Sequence, residues 1–319
     1  MKKSLVLFLV AVLLVSVFAL TGCAPKEEES TEIYIPVISK GFQHQFWQAV
    51  ALGAERAAEE YGVTITFEGP ETESDVEDQI QMLDVALQKN PAALCFAALD
   101  AKAASEQLQF CADNDIPVIG FDSGVDSDIP LTTAATDNYA AASLAADKMS
   151  ELIGGSGKIA VIVHDQTSLT GIQRRDGFLD KMASDYPDIE IVDVQYGGGD
   201  HAKSTDICNA FLTANPDLAG IFGANEGSAI GALNAKAEQG SDDVVVIGFD
   251  AGTIQKEAVK SGAMAGAITQ DPVGIGYFAV EAAVKAINGE ELPEIIDTGF
   301  KWWDASNMDS DEMLPLLYD

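Results

Sequence analysis

The chain has 319 residues, room for two compact units, and carries 51 acidic against 18 basic side chains, a formal net charge of −33. Such charge excludes a duplex-binding surface, so nucleic acid is not an expected partner. Apolar residues make up 47%, enough to exclude a disordered or fibrous chain, and the four cysteines include no C-x-x-C pair, which argues against a disulfide scaffold, a zinc ribbon or a dithiol centre.

Lys2 and Lys3 precede an apolar run over 4–20 that ends in Thr21, Gly22 and Cys23, the layout of a secretory signal peptide. A spanning helix is the alternative, at the lower limit of length. Leu20-Thr21-Gly22-Cys23 resembles the lipobox of bacterial lipoproteins, which implies removal of 1–22, lipidation of Cys23, and membrane contact through that lipid alone, outside the cytoplasm. Residues 23–32, polar and glutamate-rich, then read as a tether. Cys95, Cys111 and Cys208 fall in an apolar strand and two helical patterns and are expected to be buried, inert thiols.

From residue 33 onward, short apolar runs alternate with amphipathic segments, the pattern of parallel strands with crossover helices. In chain order the first half predicts a strand at 33–38, a helix at 46–61, a strand at 63–67, a helix at 75–88, a strand at 93–97, a helix at 101–114 and a strand at 117–121. A helix at 138–153 follows. The rhythm restarts with strands at 158–163, 189–195, 218–222 and 244–249, separated by helices at 171–184, 203–214 and 226–239.

One piece of sequence recurs: VIGFDSG at 118–124 is answered by VIGFDAG at 246–252. Ligands gather beyond the carboxyl ends of parallel strands, so each half offers one aspartate, Asp122 or Asp250, where binding is expected. A carboxylate suits a polyhydroxylated ligand because its two oxygens accept from adjacent hydroxyls. An aspartate before glycine also serves to cap a helix or close a turn. Phe46 and Trp47 open the first helix at the same edge and can stack on the C–H face of a sugar; core packing is the competing role. His44 beside them, Asn225 past the strand at 218–222, and Gln270 after the apolar segment 265–269 can each donate and accept.

These residues resemble the type I periplasmic-type substrate-binding proteins of the ribose-binding, sugar ABC-importer group. The resemblance runs from residue 33 to about 300 and rests on the order of IPVIGFDSG at 116–124, ATDN at 135–138, RRDGF at 174–178, ANPDLAGIFGANE at 214–226 and VVIGFD at 245–250. It implies an α/β fold of two Rossmann-like lobes with parallel sheets joined by a three-strand hinge. Lobe one would take 33–136 and 270–297, lobe two 137–269, with 298–319 crossing back as a tail whose Trp302 and Trp303 pack on the hinge side. It also implies that Phe46, Trp47, Asp122, Asn225, Phe249, Asp250 and Gln270 line a sugar site, and that His44 stands where ribose binders carry a contacting asparagine. Four positions depart: Ala97 replaces an asparagine, Ser123 an arginine after the aspartate, Ile172 a second arginine and Gly199 a stacking ring. These imply poor ribose binding and a roomier, more apolar site, with Arg174 or Arg175 the remaining sources of a guanidinium.

The implied function is capture of a sugar or polyol by a monomer that closes around it and delivers it to an ABC permease, without a cofactor. No phosphate loop, nucleophile elbow or zinc-protease string occurs, and His44, His164 and His201 lack metal-ligand spacing, so catalysis is not expected. The alternative is a sensing module that presents a sugar or furanosyl signal to a membrane receptor.

Overall fold

The computed structural model describes residues 33–318; the expected signal peptide, tether and lipidated Cys23 lie outside the described residues. In chain order the elements are β1 (Tyr34–Ile38), α1 (Gln45–Tyr61), β2 (Thr64–Glu68), α2 (Val76–Leu87), β3 (Leu94–Phe96), α3 (Ser105–Asp113), β4 (Val118–Phe121) and β5 (Thr132–Ala135). There follow α4 (Asn138–Ile153), β6 (Gly157–Val163), α5 (Leu169–Asp185), β7 (Ile189–Tyr196), α6 (His201–Ala214), β8 (Leu218–Gly223), α7 (Glu226–Gln239) and β9 (Val245–Phe249). The chain ends with α8 (Thr253–Ser261), β10 (Gly266–Gln270), α9 (Pro272–Ile287), β11 (Ile295–Asp297), β12 (Phe300–Trp303) and a single 3-10 turn, Leu314–Leu316.

The strands form two six-stranded sheets, in the orders β11-β5-β4-β3-β1-β2 and β12-β10-β9-β8-β6-β7. All pairings are parallel except β10 with β12. Each sheet is covered on both faces because its central strands are apolar throughout, and alternate residues feed opposite cores. Ile35 and Val37 of β1 pack with Val50 and Ala54 of α1 and Ile275 and Ala279 of α9, whereas Ile38 joins Leu83 of α2 and Leu108 of α3. The second sheet divides likewise. Ala160 and Ile162 of β6 face α6, α7 and α8, while Ile159, Val161 and Val163 face the alanine stripe of α4 and Phe178 of α5. Two lobes result. The chain leaves the first sheet after β5, returns at Asp271 to lay α9 on the first core, and re-enters the second sheet as β12 after β11.

Helix starts follow local chemistry. Asp137, Ser168, Asp200, Asn225 and Asp271 each accept a hydrogen bond from the third residue onward and so cap α4, α5, α6, α7 and α9. The three described cysteines are buried free thiols on β3, α3 and α6; burial pushes Cys111 up to about 11 and Cys208 up to about 12, which leaves them unreactive at neutral pH.

The sequence pattern missed β5, α8, α9, β11 and β12, and marked β10 only as an apolar segment. β5 is the run TTAA, with no large apolar residue to signal a strand, and it qualifies only because β4 and β11 flank it. β11 and β12 are edge strands of three and four residues, too short for a period to show.

Two glycines set the spacing between α1 and α9. A Cβ at Gly53 would collide with the carbonyl of Val273, and one at Gly276 with the carbonyl of Val50. We expect Gly53→Ala and Gly276→Ala each to cost about 2 kcal/mol of unfolding free energy, an overpacking penalty. Urea denaturation checks this; an unchanged midpoint in both variants would show that the helices separate freely.

Candidate functional site

The repeated motif builds two matching strand ends. Asp122 follows β4 and Asp250 follows β9, both with left-handed backbone, φ 54° and 81°. Aspartate tolerates that region better than most side chains, and the turn carries each carboxylate past the end of its sheet. Their amides donate to neighbouring strands in parallel fashion, Asp122 N to Ala134 O at 2.9 Å and Asp250 N to Ile268 O at 2.6 Å. Neither aspartate caps the helix that follows it in the chain: the N-cap of α8 is Gly252, and Asp250 instead accepts from the first amide of α7, Glu226 N, at 3.0 Å.

Seven of the nine expected contact residues, His44, Phe46, Trp47, Asp122, Asn225, Asp250 and Gln270, line one cavity between the two sheets. Ser123 and Phe249 do not. Ser123 is fully buried behind Asp122 with its carbonyl accepting from Ala98 N at 2.9 Å, and Phe249 lies in the second core as the platform for Arg174, whose guanidinium carbon is 3.7 Å from the ring centre. The cavity measures about 20 Å³, room for one water, so the cleft is shut and must open to admit anything larger. Phe46 and Trp47 both serve lining and core, packed edge to face at 5.0 Å. His44, an expected contact residue, is only 3% exposed and stacks on His201 at 5.7 Å.

The cavity is more ionic than the sequence suggested. Lys40, Glu73, His164 and Arg174 also line it. Lys40 lies just beyond β1, where Gln79 ties the ends of β1 and β3 by donating to Ser39 O at 2.8 Å and Ala97 O at 2.9 Å. Its ammonium donates to Thr170 Oγ1 at 2.9 Å and sits 3.6 Å from Asp122. Trp47 Nε1 donates to Glu73 Oε1 at 2.7 Å. Arg174 donates through Nε to Asn138 Oδ1 at 2.8 Å and through Nη1 to Ala224 O at 3.0 Å, whereas Arg175 turns away to Asp176. The guanidinium therefore comes from Arg174. Gly199 leaves no spare room: a Cβ there would press on Gln43, Glu73 and His44, so the space of a stacking ring is filled by polar groups. The expectation of a roomier, more apolar site is thus corrected, because charged side chains from segments remote in sequence, Lys40, Glu73 and Arg174, occupy the space.

Lys40 and His164 follow the carboxyl ends of β1 and β6, the same signal that found the aspartates. Glu73 sits in a loop without such a marker. Glu226, the first residue of α7, accepts from Gln45 N and Phe46 N at 3.4 Å each, and its own amide donates to Asp250 Oδ2 at 3.0 Å. Gln270 Nε2 donates to Asp250 Oδ1 at 2.8 Å. The tail closes the back of this group: Trp303 Nε1 donates to Asp250 O at 3.1 Å, and Tyr318 Oη accepts from Ala251 N at 3.1 Å.

Burial governs the electrostatics. It pushes Asp122 up, against the pull of Lys40 and Arg174. Burial would raise Glu73 too, but Lys40, His44 and the Trp47 hydrogen bond hold it below its usual range. Burial drives His164 well below the usual imidazole range, so it is neutral. Among the described residues no group of three or more histidine, cysteine or acidic side chains is arranged to hold a metal ion.

Two lobes, each a mostly parallel sheet with helices on both faces, closing on a polar cavity at their strand ends, define a two-lobed solute-binding protein. The chain belongs to the periplasmic binding protein domain family, whose model matches residues 35–291. It is 25% identical over 279 residues to the ribose import binding protein of Salmonella typhimurium, covering 88% of this chain and 93% of that one. Among solved structures it resembles a carbohydrate transporter solute-binding protein from Agrobacterium radiobacter in complex with D-arabinose, at 33% identity and TM-score 0.87 over 90% of this chain and 99% of that one. It also resembles an ABC transporter solute-binding protein from Agrobacterium vitis with bound D-fucose, at 34% identity and TM-score 0.86 over 89% and 100%. The family is one of binding proteins for transport, not of enzymes.

Burial, and secondarily the charge of Asp250, pushes Glu226 from 4.5 up to about 8. The folded protein therefore holds a proton there that the unfolded chain releases above about pH 4.5, so this residue's contribution to stability falls as pH rises and levels off above about 8. Glu226→Gln abolishes that titration. Melting temperatures from pH 5 to 9 should show the wild type losing ground to the variant across this window; parallel curves would refute the shift.

Proposed function

We propose that this protein captures a neutral monosaccharide or polyol in the cleft between its lobes and delivers it to the permease of an ABC importer. The observation that carries this reading is the convergence of Asp122, Asn225, Asp250 and Gln270, with Phe46 and Trp47, from both sheets on one enclosed cavity. The carboxylates accept from sugar hydroxyls and the rings cover an apolar face. Gln270 Oε1 and His44 Nδ1 are buried without a hydrogen-bond partner; the first is a further acceptor, and the second a donor, because His44 Nε2 accepts from Gln43 Nε2 at 3.0 Å. Import is favoured over sensing because the curated relatives are import binding proteins.

Residues 33–136 with 270–297 form one jaw in this proposal, 137–269 the other, and 298–319 the returning tail. A ligand bridging both jaws binds the closed form better than the open one, and that difference drives closure. The charged cavity and the four departures from the ribose binders disfavour D-ribose.

Titration calorimetry against D-arabinose, D-fucose and D-ribose tests the reading: heat is expected with one of the first two or with a related monosaccharide in a wider screen, and silence across all neutral sugars would overturn it. Asp122→Ala and Asp250→Ala should each weaken binding by about 2 kcal/mol or more, the worth of charge-assisted hydrogen bonds. Unchanged affinity in either variant removes that residue from the site.

We further propose attachment to the membrane through lipid on Cys23. Palmitate labelling in a bacterial host should mark the wild type and spare Cys23→Ala; equal labelling would exclude the anchor.

A further inference from the structure

Two helix starts face each other across the cleft, and neither N-cap residue supplies a side-chain cap, although Gln255 of α8 accepts from Gly252 N at 3.2 Å. α1 belongs to the first-sheet core and α8 to the second. His44, at the cap position of α1, makes no side-chain capping bond, and α8 starts from Gly252, which has no side chain to offer. Caps arrive from the opposite jaw. The Glu226 carboxyl takes the amides of Gln45 and Phe46 through separate oxygens, 3.4 Å each. In return Gln45 Oε1 accepts from Thr253 N at 2.8 Å, while Gln45 Nε2 donates to Thr253 Oγ1 at 3.2 Å. Of the four described helices whose N-cap residue makes no side-chain capping bond, α1, α2, α3 and α8, only α1 and α8 meet across the cleft, and each takes bonds from the other lobe.

We infer that Glu226 and Gln45 are positioning residues that latch the closed cleft by capping the helix starts of opposite lobes, and that they set how slowly a bound ligand leaves. The inference rests on the proposed capture function. Opening breaks these cross-lobe bonds at once, so the latch acts on the closed state alone. Because Phe46 is both a capped residue and a cavity wall, seating a ligand against the ring and engaging the latch are coupled.

The test uses the mature protein and D-arabinose or D-fucose, whichever the wild type binds. In stopped-flow experiments Gln45→Ala and Glu226→Ala should each raise the dissociation rate about tenfold, as expected for loss of one or two hydrogen bonds, with association changed far less. Glu226→Gln keeps a carbonyl acceptor and should restore part of the slow release, which a merely structural role would not predict. Gln45 lies at the cleft rim, half-buried, so its variant should fold even if those of Glu226 do not. Without added sugar, small-angle scattering should give a larger radius of gyration for both alanine variants than for the wild type. Unchanged dissociation rates, or an unchanged radius in both variants, would overturn the latch; a wild type that binds no sugar while the variants still expand would overturn the capture function and leave the latch standing.

Discussion

Ionisable groups buried in one closed cleft are the constraint around which this protein is arranged. Lys40, Glu73, Asp122, Arg174, Glu226 and Asp250 are all under a tenth exposed, and removing even one such charge from water without a partner costs several kcal/mol. Each is accordingly paired: Lys40 with Asp122 and Thr170, Glu73 with Trp47, Arg174 with Asn138 and the Phe249 face, Asp250 with Gln270, and Glu226 with the amides of Gln45 and Phe46. When the jaws part, water replaces the bonds that span them. The balance between open and closed forms is therefore a contest between hydration and these pairs, and a ligand with several hydroxyls tips it by supplying hydrogen bonds that the closed cleft alone leaves unmade.

The sheets make that contest possible. Strands buried on both faces give each jaw a rigid core, and the chain crosses between them only at short connections next to β5, β10 and β11. Motion is thereby confined to the crossings, while the strand ends hold the site's groups at fixed positions within each jaw. Left-handed backbone at Asp122 and Asp250 is part of this arrangement, since it turns each carboxylate past the sheet edge.

Much of the site was legible because chemistry at parallel strand ends follows a rule. The duplicated Phe-Asp-x-Gly motif marked both aspartates, and the aromatic pair after the first strand marked the wall. The same rule applied to Lys40 and His164 would have found them; a lone lysine or histidine in a loop simply carries no pattern. Glu73 and Glu226 had no such mark. Glu73 reaches the cavity because the β2–α2 loop folds under Trp47, and Glu226 acts on a helix start 180 residues away in the chain. Phe249 and Ser123 fell next to true lining residues and were separated from them only by which way each side chain points.

Alternating apolar runs, the repeated motif and the residue types at strand ends were enough to set the class of fold and the sugar-like character of the ligand, because both depend on local periodicity and on side-chain chemistry. The shut cavity, its ionic lining and the crossed caps of α1 and α8 came from tertiary contact alone. They pair residues far apart in the chain, such as Lys40 with Thr170 and Gln45 with Thr253, and no spacing in a linear sequence encodes a distance that exists only once two lobes have closed.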